Sequence, residues 1–170
     1  MHHKILFQER QKFNQWWVIT LLVAINALFL VVVYMEITGN QPFGEGAGGR
    51  TALLLSGAMV VLPSLLFLLL RLDMLIKDDG IYVRFFPFHL SYRFYDWAQI
   101  HKLYVRQYAA MAEFGGWGIR FSIFGKGRAY NVSGNQGLQI EFRNNKKLLI
   151  GTTRPAEVEK ILMDIERHKP

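Results

Sequence analysis

The chain has 170 residues, 51% of them hydrophobic and 19% charged, with a formal net charge of +7. A soluble domain of this length usually carries about 25% charged residues; here the deficit is concentrated in residues 16–35 and 51–70, which hold no charge at all. The absence of cysteine excludes disulfides, thiolate metal sites and cysteine nucleophiles.

Residues 1–15 read as a short polar, basic segment, with Lys4, Arg10 and Lys12 set against Glu9. The first apolar run follows. At a rise of ~1.5 Å per residue, each run is ~30 Å long, the thickness of a hydrocarbon core. A long helix buried in a soluble protein usually keeps one polar face, and neither run has one. The two runs therefore predict a transmembrane helical hairpin over residues 16–71, closed by a Gly-rich external loop at 38–49. Trp16, Trp17 and Tyr34 suit the interfacial ends of a span. The first run is too long for a signal-peptide core and no A-x-A-like site follows it. Arg71 and Lys77 follow the second run, while the connection carries Glu36 and Glu45, with Arg50 only at its edge. By the positive-inside rule both termini are expected to be cytoplasmic.

The stretch Gly44-Glu45-Gly46-Ala47-Gly48-Gly49 formally fits G-x-G-x-x-G. It lacks the preceding strand that a dinucleotide site needs, so it reads as a turn and no cofactor is expected. Within the spans, Pro63 cannot bond the carbonyl of Met59. The Asn26 amide is expected to donate to that carbonyl. Gly48, Ala52 and Ser56 recur at four-residue spacing and are candidates for close helix approach.

Beyond Asp73 the pattern becomes that of short strands. Residues 74–77 and 81–86 flank Asp78-Asp79-Gly80, a strong hairpin signal. Pro87 ends the second strand. Further strands are expected over 92–95, 100–107, 117–124, 128–132, 138–142 and 147–150, with a loop over 108–113. Ile119, Phe121 and Ile123 share one face of their strand. Thr152, Thr153 and Pro155 then suit a helix start, and Val158, Ile161, Leu162 and Ile165 fall at helical spacing. The expectation is α+β: a membrane hairpin, then a domain over 73–170 of about seven strands and a C-terminal helix.

Several motifs here resemble a family of small bacterial membrane proteins that join two transmembrane helices to a PH-like domain. The residues are Asp79-Gly80-Ile81, Pro87-Phe88, Asp96 with Ile100, and above all Glu113-Phe114-Gly115-Gly116-Trp117-Gly118-Ile119-Arg120. Ala129-Tyr130-Asn131-Val132-Ser133-Gly134, Gly137-Leu138 and Leu149-Ile150-Gly151-Thr152 continue it. The resemblance implies an antiparallel PH-like β-barrel closed by a helix, and a place in the cell (inner) membrane. It implies no catalytic residues. One departure stands out: lipid-binding PH domains have a basic first hairpin, whereas this one is Asp78-Asp79-Gly80.

His89, His101 and His168 lack metal-motif spacing, and Ser133 is not in a nucleophile elbow. Gly115, Gly116 and Gly118 permit unusual backbone angles around Trp117, whose indole either packs inside or lines a pocket with Arg120. Arg120 has Glu113 and Glu141 as candidate partners. From Asp73 onward, fifteen Lys and Arg face ten Asp and Glu. Lys126 and Arg128 share one turn region, Arg143, Lys146 and Lys147 another. Such a surface beside a membrane attracts anionic headgroups at ~1 kcal/mol per basic residue; a solvated positive face is the alternative. Nucleic acid is not expected. The sequence thus predicts a non-enzymatic binding or scaffolding module, with an accessory subunit of a transporter or membrane enzyme as the competing class. Arg120, Lys126, Arg128, Lys146, Lys147 and Trp117 are its candidate lipid or partner contacts.

Overall fold

A computed structural model of the chain describes residues 4–13, 15–39, 47–122 and 125–167. Most of the Gly-rich connection, Ile123 and His168 lie outside them. The described elements are β1 (Ile5–Lys12), α1 (Trp16–Ile37), α2 (Ala47–Leu69), β2 (Arg71–Lys77), β3 (Gly80–Phe86), β4 (Arg93–Asp96), β5 (Ile100–Gln107), α3 (Ala110–Phe114), β6 (Gly118–Phe121), β7 (Arg128–Asn131), β8 (Gln136–Phe142), β9 (Lys147–Gly151) and α4 (Pro155–Arg167). The chain divides into two compact units. One is the helical pair, residues 14–69; the other combines residues 1–13 with 70–170.

In the first unit, α1 and residues 51–69 of α2 are long and apolar enough to cross a membrane, with mean hydropathies of 2.7 and 2.4. No residue of α1 is buried. The polar contact between the helices differs from the one expected. Asn26 Nδ2 donates to Ser64 Oγ at 2.8 Å and to the Leu22 carbonyl at 2.7 Å; it does not reach the carbonyl of Met59. Ser64 in turn donates to Val60 O at 2.8 Å. A side-chain hydroxyl at the same depth is a nearer partner than a backbone carbonyl inside the helix. The close approach falls at Gly57, where an added Cβ would stand 2.9 Å from the Phe29 ring.

Among the described residues the second unit holds nine strands, where the sequence predicts about seven. They form two sheets, ordered β1-β2-β3-β4 and β5-β8-β9-β7-β6. No ladder joins the two sheets among the described residues, so they are not closed into a barrel, and β7 runs parallel to β9. One strand that the sequence does not predict comes from the basic N-terminal segment. β1 pairs antiparallel with β2 from Lys12↔Arg71 back to Ile5↔Lys77. Its inward residues are Phe7, Glu9 and Gln11, all buried. Two of those three are polar, which hides the alternation from a hydropathy reading.

One core lies between the sheets. Leu72, Met74, Ile76, Ile81, Val83 and Phe85 come from the first sheet; Tyr130, Val132, Leu138, Ile140, Leu148 and Ile150 come from the second strand set; Val158 of α4 completes it. Burying a side chain of this size contributes about 1.5–3 kcal/mol. Ile161, Leu162 and Ile165 extend the contact of α4, as their helical spacing predicts. Glu9 links β1 to the start of α4. Its carboxylate accepts from Thr152 Oγ1 at 2.6 Å, Thr153 N at 2.8 Å and Thr153 Oγ1 at 2.6 Å. Gln11 Nε2 donates to Gly151 O at 2.7 Å beside it.

The Asp78-Asp79-Gly80 turn forms as predicted between β2 and β3. Gly80 has φ +156°, and an added Cβ there would meet Tyr95 O at 2.4 Å. Asp79 is engaged by its neighbour: Tyr82 donates to it at 2.6 Å. That bond pushes the phenol up to about 12.

Candidate functional site

The edge of the five-stranded sheet holds a cleft of about 450 Å³ lined by Tyr95, Phe121, Phe142 and Leu148, with Arg128, Lys146 and Lys147 around it. Local chain geometry gathers them. Lys147 opens β9 immediately after the Asn144–Lys146 turn, in which Asn145 takes a left-handed φ of 61°. The parallel ladder then sets Arg128 of β7 opposite Leu148 of β9. The close approach depends on Gly127, because a Cβ there would lie 2.2 Å from Lys147 O. Ser122 N donates to Gly127 O at 2.8 Å and closes the facing turn.

The floor is aromatic. Tyr95 and Phe142 have ring centroids 5.3 Å apart. Burial, above all, pushes the Tyr95 phenol up to about 12, so it remains a neutral donor. Arg128 lies over the Phe121 ring at 5.0 Å, a cation–π contact that fixes its guanidinium at the rim. Phe121 itself is 63% exposed. The alternation places it on one strand face with Ile119; Ile119 packs against the core, whereas Phe121 offers an apolar surface at the cleft. Lys147 forms an ion pair with Glu141 at 3.3 Å, and Tyr104 donates to the same carboxylate at 3.0 Å. The hydrogen bond from Tyr104 and that from Lys147 hold the Glu141 carboxyl below its usual value. Chemically, the cleft sets cationic side chains around an apolar, aromatic floor.

The remaining predicted residues lie elsewhere. Lys126 is partnered by Glu113 at 3.1 Å, and Arg106 binds the same carboxylate at 3.0 Å. Burial opposes the Glu113 charge, but Arg106, the Ala109 N–H and Lys126 outweigh it and hold the carboxyl down at about 2. Trp117 lines a separate hollow of about 610 Å³ with Tyr108, Met111, Glu113 and Asn135. Its Nε1 is buried without a hydrogen-bond acceptor. Arg120 is exposed, and its Nε donates to Trp117 O at 2.9 Å. Neither expected partner binds it, since Glu113 and Glu141 are taken by Arg106, Lys126 and Lys147. His89 packs edge-on against Tyr130 at 5.3 Å, and burial followed by the charge of Arg93 lowers its pKa. No cluster of three or more His, Cys, Asp or Glu able to hold a metal occurs among the described residues.

Sequence reasoning found the cleft's cations but not its aromatic floor. Tyr95, Phe121 and Phe142 carry the same alternation signal as core residues; Tyr95 and Phe142 indeed pack partly against the core, and Phe121 is exposed. No family model, curated protein or solved structure matches the chain.

Proposed function

We propose that the chain is a non-enzymatic, membrane-anchored binding module of PH-like plan that engages anionic headgroups at the cytoplasmic membrane surface through the Arg128–Lys146–Lys147 cleft. The observation that carries this reading is the pairing of three cations with an apolar aromatic floor in one cleft. A headgroup offers the matching chemistry, with a negative charge joined to an apolar chain. The two apolar helices support an anchor that keeps the domain at that surface. The test uses the full chain in neutral detergent micelles, with phosphatidylglycerol added and thermal unfolding followed. The expected result is stabilisation that falls when Arg128, Lys146 and Lys147 are together changed to Gln. Equal stabilisation of both proteins by this lipid would reject the cleft.

A specific observation favours a second reading, that of an accessory subunit packing through its helices. Asn26 and Ser64 line a groove of about 390 Å³ with Leu22, Val23, Leu30, Leu65 and other apolar residues. Polar groups at such depth are costly unless paired, and they serve as contacts between helices. Co-purification of a membrane partner that Asn26→Leu abolishes would favour this reading over the first.

A further inference from the structure

The outward face of the four-stranded sheet carries a charge imbalance that neither the cleft nor the core explains. In the β1–β2–β3 ladder, Asp73 stands between Arg10 and Arg84, and Arg71 stands between Lys12 and Phe86. Arg10, Lys12, Arg71, Lys77 and Arg84 therefore share this face, with Asp73 the carboxylate among these ladder residues. Asp73 is almost fully buried. Its Oδ1 accepts from Arg10 Nε at 2.6 Å, and its Oδ2 accepts from Arg84 at 2.7 and 3.1 Å. Arg71 Nε lies 3.5 Å from Oδ2, and it is buried without a hydrogen-bond acceptor. One carboxylate thus neutralises one of three guanidinium charges and accepts hydrogen bonds from two of the three groups.

These groups are held in place. Arg71 lies over the Phe86 ring at 4.7 Å and Arg84 over the Tyr92 ring at 4.5 Å. A pre-positioned guanidinium with free N–H donors is suited to tetrahedral oxyanions, which it binds by paired, charge-assisted hydrogen bonds. A second carboxylate would still leave one of the three guanidinium charges uncompensated. The uncompensated charge and the unsatisfied Arg71 Nε suit an anion with several acceptor oxygens. In sequence, Arg71 follows Leu69, the last residue of α2, by two positions.

We propose that Arg10, Arg71 and Arg84, organised by Asp73, form a phosphate-binding site distinct from the cleft. The phosphate is that of an anionic lipid or a soluble phosphate. Assignment to lipid rests on the membrane-surface reading above. The site offers guanidinium forks to phosphate, whereas the cleft offers cations around an aromatic floor.

The test uses the full chain in neutral detergent micelles and follows thermal unfolding against added phosphatidylglycerol, phosphatidylcholine or inorganic phosphate. Phosphatidylglycerol is expected to stabilise the protein, and Arg71→Gln to raise its half-saturating concentration roughly tenfold or more. Arg71 is the chosen position because Asp73 keeps both its hydrogen-bonded partners. Arg71→Lys, which keeps the charge and loses the fork, is expected to fall between and supplies the readout if Arg71→Gln does not fold. A response to phosphatidylglycerol without one to inorganic phosphate assigns the site to a headgroup; a response to both, lost together in Arg71→Gln, assigns it to phosphate in general. Equal responses to the two lipids, or an unchanged response in both Arg71 variants, would overturn the site. If the triple cleft variant alone abolishes the response, the arginine site falls and the cleft stands. If neither does, both fall.

Discussion

Lys12 and Arg71 face each other as the last pair of the β1–β2 ladder. The chain therefore leaves the four-stranded sheet at one position and re-enters it at the adjacent one, with residues 13–70 inserted between two paired strands. The helical pair is an insertion in a β-hairpin rather than a leader placed before a domain. Joining Lys12 to Arg71 through Asn-Gly should then give a folded, soluble protein, since a two-residue turn closes such a pair. Residues 73–170 alone lack β1 and expose the edge of β2, which favours aggregation. Cooperative thermal unfolding followed by circular dichroism, together with size-exclusion chromatography, separates the two outcomes.

Glu9 carries the second half of that closure. Its carboxylate accepts three hydrogen bonds from Thr152 and Thr153, and it is 5% exposed. Glu9→Ala strands those donors and should lower stability by about 2–3 kcal/mol. Thr153→Ala removes one hydroxyl bond and keeps the backbone one, so its cost should be nearer 1 kcal/mol. Denaturant unfolding of the hairpin-deleted protein measures both.

The helices, β3, β5, β8, β9 and α4 were legible because their apolar spacing matches one period over enough residues. β1 was not, because Glu9 and Gln11 occupy inward positions that pair with distant backbone and hydroxyl groups. α3 was also missed: its five residues are too few for a helical period, and the left-handed Gly115 that ends it (φ 71°) was visible only as a glycine. At the site, Arg128, Lys146 and Lys147 were legible as charges beside turns. Their convergence depends on the parallel β7–β9 pairing, which no local pattern announces. Lys126 carried the same signal, but Glu113, distant in sequence, partners it. Arg71 and Asp73 flank Leu72 and read as the end of a span, so the arginine group emerged only once β1 and β3 were placed beside them.

The Asn26–Ser64 bond gives a direct measure of how specifically the helices pair. Asn26 uses its two N–H groups on Leu22 O and Ser64 Oγ. Asn26→Leu and Ser64→Ala should each cost about 0.5–2 kcal/mol in detergent. The double substitution should cost less than their sum, since both remove the same contact. Strict additivity in thermal unfolding would show that the two side chains act independently.

Two nearby glycines separate packing from backbone strain. Gly125 and Gly127 both have left-handed φ, at +71° and +85°, but only Gly127 has an atom within 4 Å of an added Cβ, the Lys147 backbone. Gly125→Ala should cost about 1 kcal/mol, the backbone term alone. Gly127→Ala should cost clearly more and should separate β7 from β9, removing the cleft. Hydrogen-exchange protection at Leu148 and Leu149 reports that separation.

Glu113 sets an acid limit. Its carboxyl falls from the ordinary 4.5 to about 2 in the folded chain, with burial opposing the charge and Arg106, Ala109 N and Lys126 favouring it. A carboxyl whose folded pKa is depressed contributes stability that is present in full above its unfolded value. That contribution is lost as pH falls through the folded one. Stability should therefore decline between about pH 4.5 and 2, by roughly 1–3 kcal/mol for this group. Glu113→Gln should be less stable at neutral pH and show a shallower acid decline. Arg106→Ala should reproduce most of that loss, because its guanidinium holds the carboxylate through two bonds at 3.0 and 3.2 Å. Lys126→Ala should lose little, since its ammonium is half exposed and screened. Equal effects of the two substitutions in pH-dependent unfolding would mean that charge alone, rather than the bidentate geometry of Arg106, fixes Glu113.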